Sequence, residues 1–371
     1  MRQTIDPERF PEPLRPLAAK VRDGVRLDAE DALLCLTTPH VLPLGRLAAA
    51  VRHELHGKVA FYNINRHINP TNICVYTYNC KFCSFAALPG EAHAWQMSHE
   101  EVYRRAAAHG GDEVTEFHIV GGVHPDLEMA WYEEMLCGLR ERFPRAHLKA
   151  FTAVEIEWFA RQEKLPVAAV LERLVAAGLG SLPGGGAEIF HPEVRDVICK
   201  GKTGAEEWLE IHRVAHQLGL KSNCTMLYGH VERPEHKVDH LLRLRALQDE
   251  TGGFNAFIPL AYHPENNYLG LRYQTTGLDD LRHVAASRLV LDNIPHLKAY
   301  WVMVTPKLAQ IALSFGADDL DGTVVEETIY HMAGAETAQQ LTRAELERIV
   351  RAAGFEPVER DTLYRPVHRA A

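Results

Sequence analysis

The sequence predicts an α/β fold: a (β/α)8 TIM-type barrel with an N-terminal helical extension and a short C-terminal tail. Three observations carry this reading. Eight apolar or β-branched runs recur at about 65–73, 116–120, 147–152, 179–183, 221–228, 254–261, 297–304 and 319–325. Helical patterns lie between most of them, the alternation that builds parallel βαβ units with right-handed crossovers. Motifs rich in cysteine and glycine follow directly on several of these runs, where a barrel of this kind keeps its chemistry. An open doubly wound sheet is the main structural alternative.

The elements follow in order. Residues 12–56 read as two or three helices that cover the bottom or side of the barrel. Ser98 with Glu101, Thr203 with Glu206 and Thr342 with Glu345 have capping-box spacing and mark helix starts. Val167, Val170, Leu171 and Leu174 form one apolar stripe, with Gly178 placed as its C-terminal cap. Trp208, Ile211, Ala215 and Leu218 form another, ended by Gly219. After the eighth run come a helix near 342–353 and the stretch Glu356–Val367. The expected division is an extension over 1–57, the barrel over 58–331 and a helix and tail over 332–371.

Composition excludes several classes. The 371 residues are 46% hydrophobic and 24% charged, which fits a globular chain with a full-sized core and not a disordered or collagen-like one. Lys and Arg number 40 against 49 Asp and Glu, a net charge of −9, opposite in sign to a protein that tracks a phosphate backbone. There is no run of 18 apolar residues and no apolar segment in the first sixteen. The expectation is a cytoplasmic protein with no membrane and no nucleic-acid partner.

Seven cysteines are too few for a disulfide framework, and three of them, Cys74, Cys80 and Cys83, fall within ten residues just after the first strand. Thiolates are soft ligands for zinc or iron–sulfur clusters. A structural zinc site wants four ligands, and no second cysteine or histidine pair is evident. Three closely spaced thiolates suit a [4Fe–4S] cluster with one iron left free. A fourth ligand from Cys137, Cys199 or Cys224 would make it an electron-transfer cluster instead, and the spacing leaves that open. Gly121-Gly122-Val123-His124-Pro125 follows the second strand and Ser181-Leu182-Pro183-Gly184-Gly185-Gly186 the fourth. Glycine runs at strand ends let backbone approach a ligand closely, and three in a row are costly in chain entropy.

Taken together, these segments resemble the radical S-adenosylmethionine superfamily. Asn69-Pro-Thr-Asn-Ile-Cys74, Cys83-Ser-Phe, Gly121-Gly-Val-His-Pro-Asp126 and Pro183-Gly-Gly-Gly-Ala-Glu-Ile189 are most similar to its futalosine-pathway branch, and within it to the aminodeoxyfutalosine synthases of menaquinone biosynthesis. The likeness spans roughly residues 58–331. Two departures stand out. The superfamily spacing is Cys-x3-Cys-x2-Cys, whereas five residues, Val75 to Asn79, separate the first two cysteines here. Gly-Gly-Val-His replaces the Gly-Gly-Glu of many relatives, which removes an acidic side chain but keeps the backbone contacts.

The resemblance implies roles. Cys74, Cys80 and Cys83 would bind three irons of a [4Fe–4S] cluster, and the fourth iron would chelate S-adenosylmethionine, a co-substrate. Phe82 would pack on adenine, Gly121 and Gly122 would meet the methionine amino group, and Thr152 or Glu155 would reach the ribose or amine. Pro183 and Gly184 complete the expected cofactor contacts. The 5′-deoxyadenosyl radical would add to the enol ether of 3-[(1-carboxyvinyl)oxy]benzoate, followed by aryl migration and loss of the vinyl-derived carboxylate. Such a small-molecule dicarboxylate calls for cationic or hydrogen-bonding groups at the barrel mouth. By position, Arg66, His67 and His230 are the catalytic candidates, and Asn69, Tyr262 and His263 the substrate-binding ones. An electron donor such as flavodoxin or ferredoxin is the implied partner. The neighbouring alternative is a cyclic dehypoxanthine futalosine synthase; the deazaflavin-forming synthase subunits are more distant, and a zinc-stabilised scaffold without catalysis is a different class.

Overall fold

The computed structural model describes residues 2–108 and 113–369. Its strands are β1 (Val59–Asn63), β2 (Asn65–Ile68), β3 (Glu116–Ile119), β4 (His147–Ala150), β5 (Ser181–Leu182), β6 (Lys221–Tyr228), β7 (Phe254–Ala261), β8 (His296–Leu297), β9 (Asp319–Gly322) and β10 (Glu356–Glu359). Strands β2 to β8 form one seven-stranded sheet in sequence order, and every pairing is parallel. Helices separate consecutive members, as parallel connections require.

The eighth run joins the two edges of this sheet. Single parallel bridges link Asp319 to Lys298, just beyond β8, and Val325 to Arg66 in β2. Ala299 N donates to Asp319 O at 2.8 Å, and His67 N to Val325 O at 2.9 Å. The parallel α/β barrel is therefore present, with seven strands in a continuous sheet and the eighth position held by isolated bridges. At one end β1 lies between β9 and β10 in a second parallel sheet, so the C-terminal tail pairs with the strand that precedes the barrel.

Two local expectations are corrected. The run 297–304 is strand only at His296–Leu297; Trp301–Val304 is a helical turn, fixed by the Trp301 indole donating to Gly322 O at 2.8 Å. Short apolar runs carry no period that separates strand from helix. Thr203 does not cap a helix, because the helix Ala205–Gln217 starts after Gly204. The boxes at Ser98 and Thr342 do form.

The three N-terminal helices, Arg15–Asp23, Ala29–Thr37 and Val41–His56, are amphipathic, and the latter two pack on the outer helices Pro234–Thr251 and Gly277–Val290. Arg26 ties this layer down, reaching Asp249 at 2.6 Å and Asp292 at 2.9 Å.

The barrel interior is ionic where many barrels are aliphatic. Lys149 Nζ lies 2.7 Å from Glu116, Lys298 Nζ 2.5 Å from Asp321 and Arg360 Nε 2.5 Å from Asp319, all buried. Buried charges persist only when paired in this way. Burial pushes the Lys149 ammonium down to about 8 despite Glu116 beside it.

Candidate active site

A cavity of about 280 Å³ lies within the barrel and its strand-end loops, near the lower end of small-molecule sites, roughly 300–1,000 Å³. Cys74, Cys80 and Cys83 lie on its wall, carried by the loop after β2. That loop is tightly braced. Cys74 N donates to Ala87 O at 3.0 Å, Val75 N to Val123 O at 2.9 Å, Cys80 N to Tyr76 O at 2.9 Å and Cys83 N to Cys80 O at 3.0 Å. The longer first interval is taken up as a compact turn. Tyr78 adopts φ 67° and lies half-exposed with its ring edge-on to Tyr268 and its hydroxyl donating to Glu91, while Tyr76 stays buried and lines the cavity.

Burial pushes all three thiols up, so the metal-free protein holds them protonated. A structural zinc takes four ligands, and the cavity wall offers these three thiols with no fourth cysteine; three soft donors facing a shared cavity fit a cluster that leaves one iron open. Cys199 pairs with Cys80 through a backbone bridge but does not line the cavity, and neither does Cys137 or Cys224.

The glycines are required by close approach. A Cβ on Gly122 would sit 2.3 Å from Ile73 O, one on Gly121 3.0 Å from Thr71 O, and one on Gly184 2.7 Å from the Cys224 Cα. The Pro183–Gly186 loop is pinned from both sides: Thr225 donates to Gly184 O at 2.7 Å and Trp208 to Gly185 O at 3.1 Å. Such a loop forms fixed backbone wall.

Of the residues singled out from sequence, His67, Phe82, Gly121, Gly122, Thr152, Pro183 and Gly184 line the same cavity as the three cysteines. Glu155 lies behind that wall. Its carboxylate accepts from Thr152 N at 2.7 Å, Thr152 Oγ1 at 2.9 Å and Gly121 N at 3.2 Å. Burial nevertheless raises the carboxyl to about 7.

Besides Glu155, five further candidates are not on the cavity. Arg66 and His67 alternate along β2, so one side chain faces in and the other out; Arg66 caps the helix His99–Ala107 through Arg105 O. Asn69 braces β2 to β3, donating to Val120 O at 2.8 Å. His230 is sealed between Leu227 O at 3.1 Å and Glu232 at 3.2 Å. Tyr262 donates to Asn267 at 2.7 Å, and His263 Nε2 meets Met303 O at 3.1 Å. Position after a strand did not reveal that these polar groups serve the loops that carry them.

Sequence reasoning missed other wall residues. His118 was legible: it stands two residues after Glu116 in β3, in register with His67. Lys202 and Glu188 form a buried ion pair on the wall, with the Lys202 ammonium 5.5 Å from the Phe82 ring centre. Lys202 sits in irregular chain with no pattern around it, and Glu188 lies inside the Pro183–Ile189 segment, where the glycines and not the carboxylate were the signal.

Comparison with known proteins gives the following. Residues 68–244 match the radical SAM superfamily and residues 251–370 the CofH/MqnC C-terminal region. The aminodeoxyfutalosine synthase of Thermus thermophilus is 48% identical over 358 residues, covering 95% of this chain and 96% of its own. The cyclic dehypoxanthine futalosine synthase of Streptomyces coelicolor is 37% identical, over 95% of this chain and 88% of its own. Methylornithine synthase (PylB) shares the fold, with a TM-score of 0.72 at 16% identity over 91% of this chain and 96% of that one.

Proposed function

We infer the reaction from one premise: the chain belongs to the radical S-adenosylmethionine superfamily and, within it, to the family of the aminodeoxyfutalosine synthases. It is an enzyme of transferase type, and its cofactors are a [4Fe–4S] cluster and S-adenosylmethionine. The reaction we assign joins the 5′-deoxyadenosyl group of S-adenosylmethionine to the vinyl carbon of 3-[(1-carboxyvinyl)oxy]benzoate. The aryl group moves from oxygen to carbon, and the vinyl-derived carboxylate leaves and takes up one water to become bicarbonate, giving 6-amino-6-deoxyfutalosine and methionine. The observation that carries this is the identity of 48% across nearly the whole chain, against 37% for the cyclising relative.

When bound, the cluster supplies the single electron that splits the sulfonium of S-adenosylmethionine. Cys74, Cys80 and Cys83 would hold it. Gly121 and Gly122 have their N–H groups engaged by Glu155 and Thr71 O, so their carbonyls are the backbone groups left for the methionine ammonium. Phe82 offers a half-buried ring for the adenine face. Thr152 is fixed by the Glu155 carboxylate and presents its remaining hydroxyl capacity to the cavity. The apolar lining of Val120, Ile258 and Leu260 excludes water from a reactive intermediate. An electron donor such as flavodoxin or ferredoxin would reduce the cluster. Among the described residues, no helix is long and apolar enough to cross a membrane.

The test uses anaerobically reconstituted protein with dithionite and S-adenosylmethionine, with and without 3-[(1-carboxyvinyl)oxy]benzoate, followed by mass spectrometry. An adenosyl adduct that appears only with that substrate supports the assignment. Free 5′-deoxyadenosine unaffected by it would move the assignment to the cyclising relative. No methionine release, with iron and sulfide present, would overturn both.

A further inference from the structure

Each of the acidic and lysine side chains that face the cavity already has an opposite partner. Glu188 holds Lys202, Asp321 holds Lys298 at 2.5 Å, and Glu327 accepts from His331 Nδ1 at 3.1 Å. Two imidazoles differ. His67 and His118 are register partners on the adjacent strands β2 and β3, stacked with ring centres 4.6 Å apart and planes 12° apart. Nε2 of His67 is buried with no hydrogen-bond partner, and among the described residues no hydrogen bond engages the His118 ring.

Desolvation keeps both rings neutral. For His118, repulsion from His67 and the Lys149 ammonium adds to it, against the pull of Glu116 and Asp321; for His67, Glu327, Asp321 and Glu116 oppose it. Each ring therefore carries one N–H, and a buried polar group left unpaired is costly unless a ligand or water satisfies it. The same cavity is also lined by Val120, Ile258, Leu260 and Tyr300, surfaces suited to an aromatic ring.

We propose that His67 and His118 together form the carboxylate seat of the cavity, their N–H groups donating to one carboxylate of the aromatic substrate. The proposal rests on the reading above that the substrate is an aryl dicarboxylate. It assigns the substrate's recognition to two neutral donors from neighbouring strands, since the cations in the cavity wall are already engaged.

The test is isothermal titration of the reconstituted holoenzyme, without S-adenosylmethionine, using 3-hydroxybenzoate and the uncharged 3-hydroxybenzamide. His118→Phe keeps a ring in the stack and removes the N–H. The expected result is a loss of about tenfold or more in affinity for the acid, with the amide unchanged within about twofold. His118→Gln, which keeps a donor, should recover most of the loss, and His67→Phe should repeat it. Equal weakening of acid and amide would show a structural role and overturn the proposal. So would unchanged affinity for the acid, or a wild-type protein that binds neither probe. The titration involves no turnover, so binding of the acid through this pair without any adenosyl adduct in the activity assay would refute the assigned reaction alone.

Discussion

Glu155 accepts the backbone N–H of Gly121 at 3.2 Å, tying the first turn of the helix Ala153–Glu163 to the glycine pair after β3. The same carboxylate caps its own helix through Thr152. A change in its charge would thus act on a helix start and on a cavity wall at once. Its carboxyl is raised from 4.5 to about 7 because burial outweighs three hydrogen bonds. A raised acid favours folding while protonated, so the contribution is present below about pH 4.5 and lost as pH rises toward 7. Between pH 5 and 8 the wild type should lose up to about 3 kcal/mol relative to Glu155→Gln, which cannot ionise. Unfolding of both proteins measured across that range checks it; parallel curves would refute it.

Cys80→Ala should abolish both cluster and turnover, and Cys74→Ala and Cys83→Ala should do the same. Cys199→Ala should keep its full iron and sulfide, although Cys199 sits across a backbone bridge from Cys80. Iron and sulfide analysis after reconstitution distinguishes the two groups. Loss of the cluster in Cys199→Ala would restore the four-cysteine reading.

Gly122→Ala drives a methyl group to 2.3 Å from Ile73 O and Gly184→Ala drives one to 2.7 Å from the Cys224 backbone, so the main chain itself must move. Overpacking of this kind costs about 1–3 kcal/mol or more. Both variants should melt below the wild type and lose affinity for S-adenosylmethionine. Gly204→Ala, where the added atom meets nothing within 4 Å, should leave the affinity unchanged.

Lys202 and Glu188 are a buried pair, 11% and 8% exposed at their side chains. Removing one partner strands the other charge, a loss of about 3–5 kcal/mol. Lys202→Met should therefore be much less stable than the Lys202→Met, Glu188→Met double variant, which removes both charges. Chemical denaturation of the four proteins of the cycle gives the coupling, and additivity would refute it.

Arg66→Met should lower stability while leaving the KM for the aromatic substrate unchanged, because Arg66 holds a helix end and faces away from the cavity. A raised KM at unaltered stability would return Arg66 to the site.

The sequence by itself determined the barrel and the chemistry of its first loop. Strand and helix periodicity, the three cysteines and the glycine runs are local patterns, fixed by backbone geometry and by what a thiolate or a Cβ can do within a few residues. Even the inward set of β2 and β3 was implicit in their alternation: one residue of register separates Arg66, turned to a helix end, from His67, in the cavity. Only the tertiary structure decided which polar groups are free. His230, Tyr262, His263 and Asn69 occupy strand ends, as candidates should, yet each is engaged by a nearby carbonyl or side chain. Lys202 and Glu188 meet across irregular chain, and the barrel closes through two bridges between segments more than two hundred residues apart in one case. Such pairings depend on how loops fold over one another, a three-dimensional competition for hydrogen bonds that no one-dimensional spacing records.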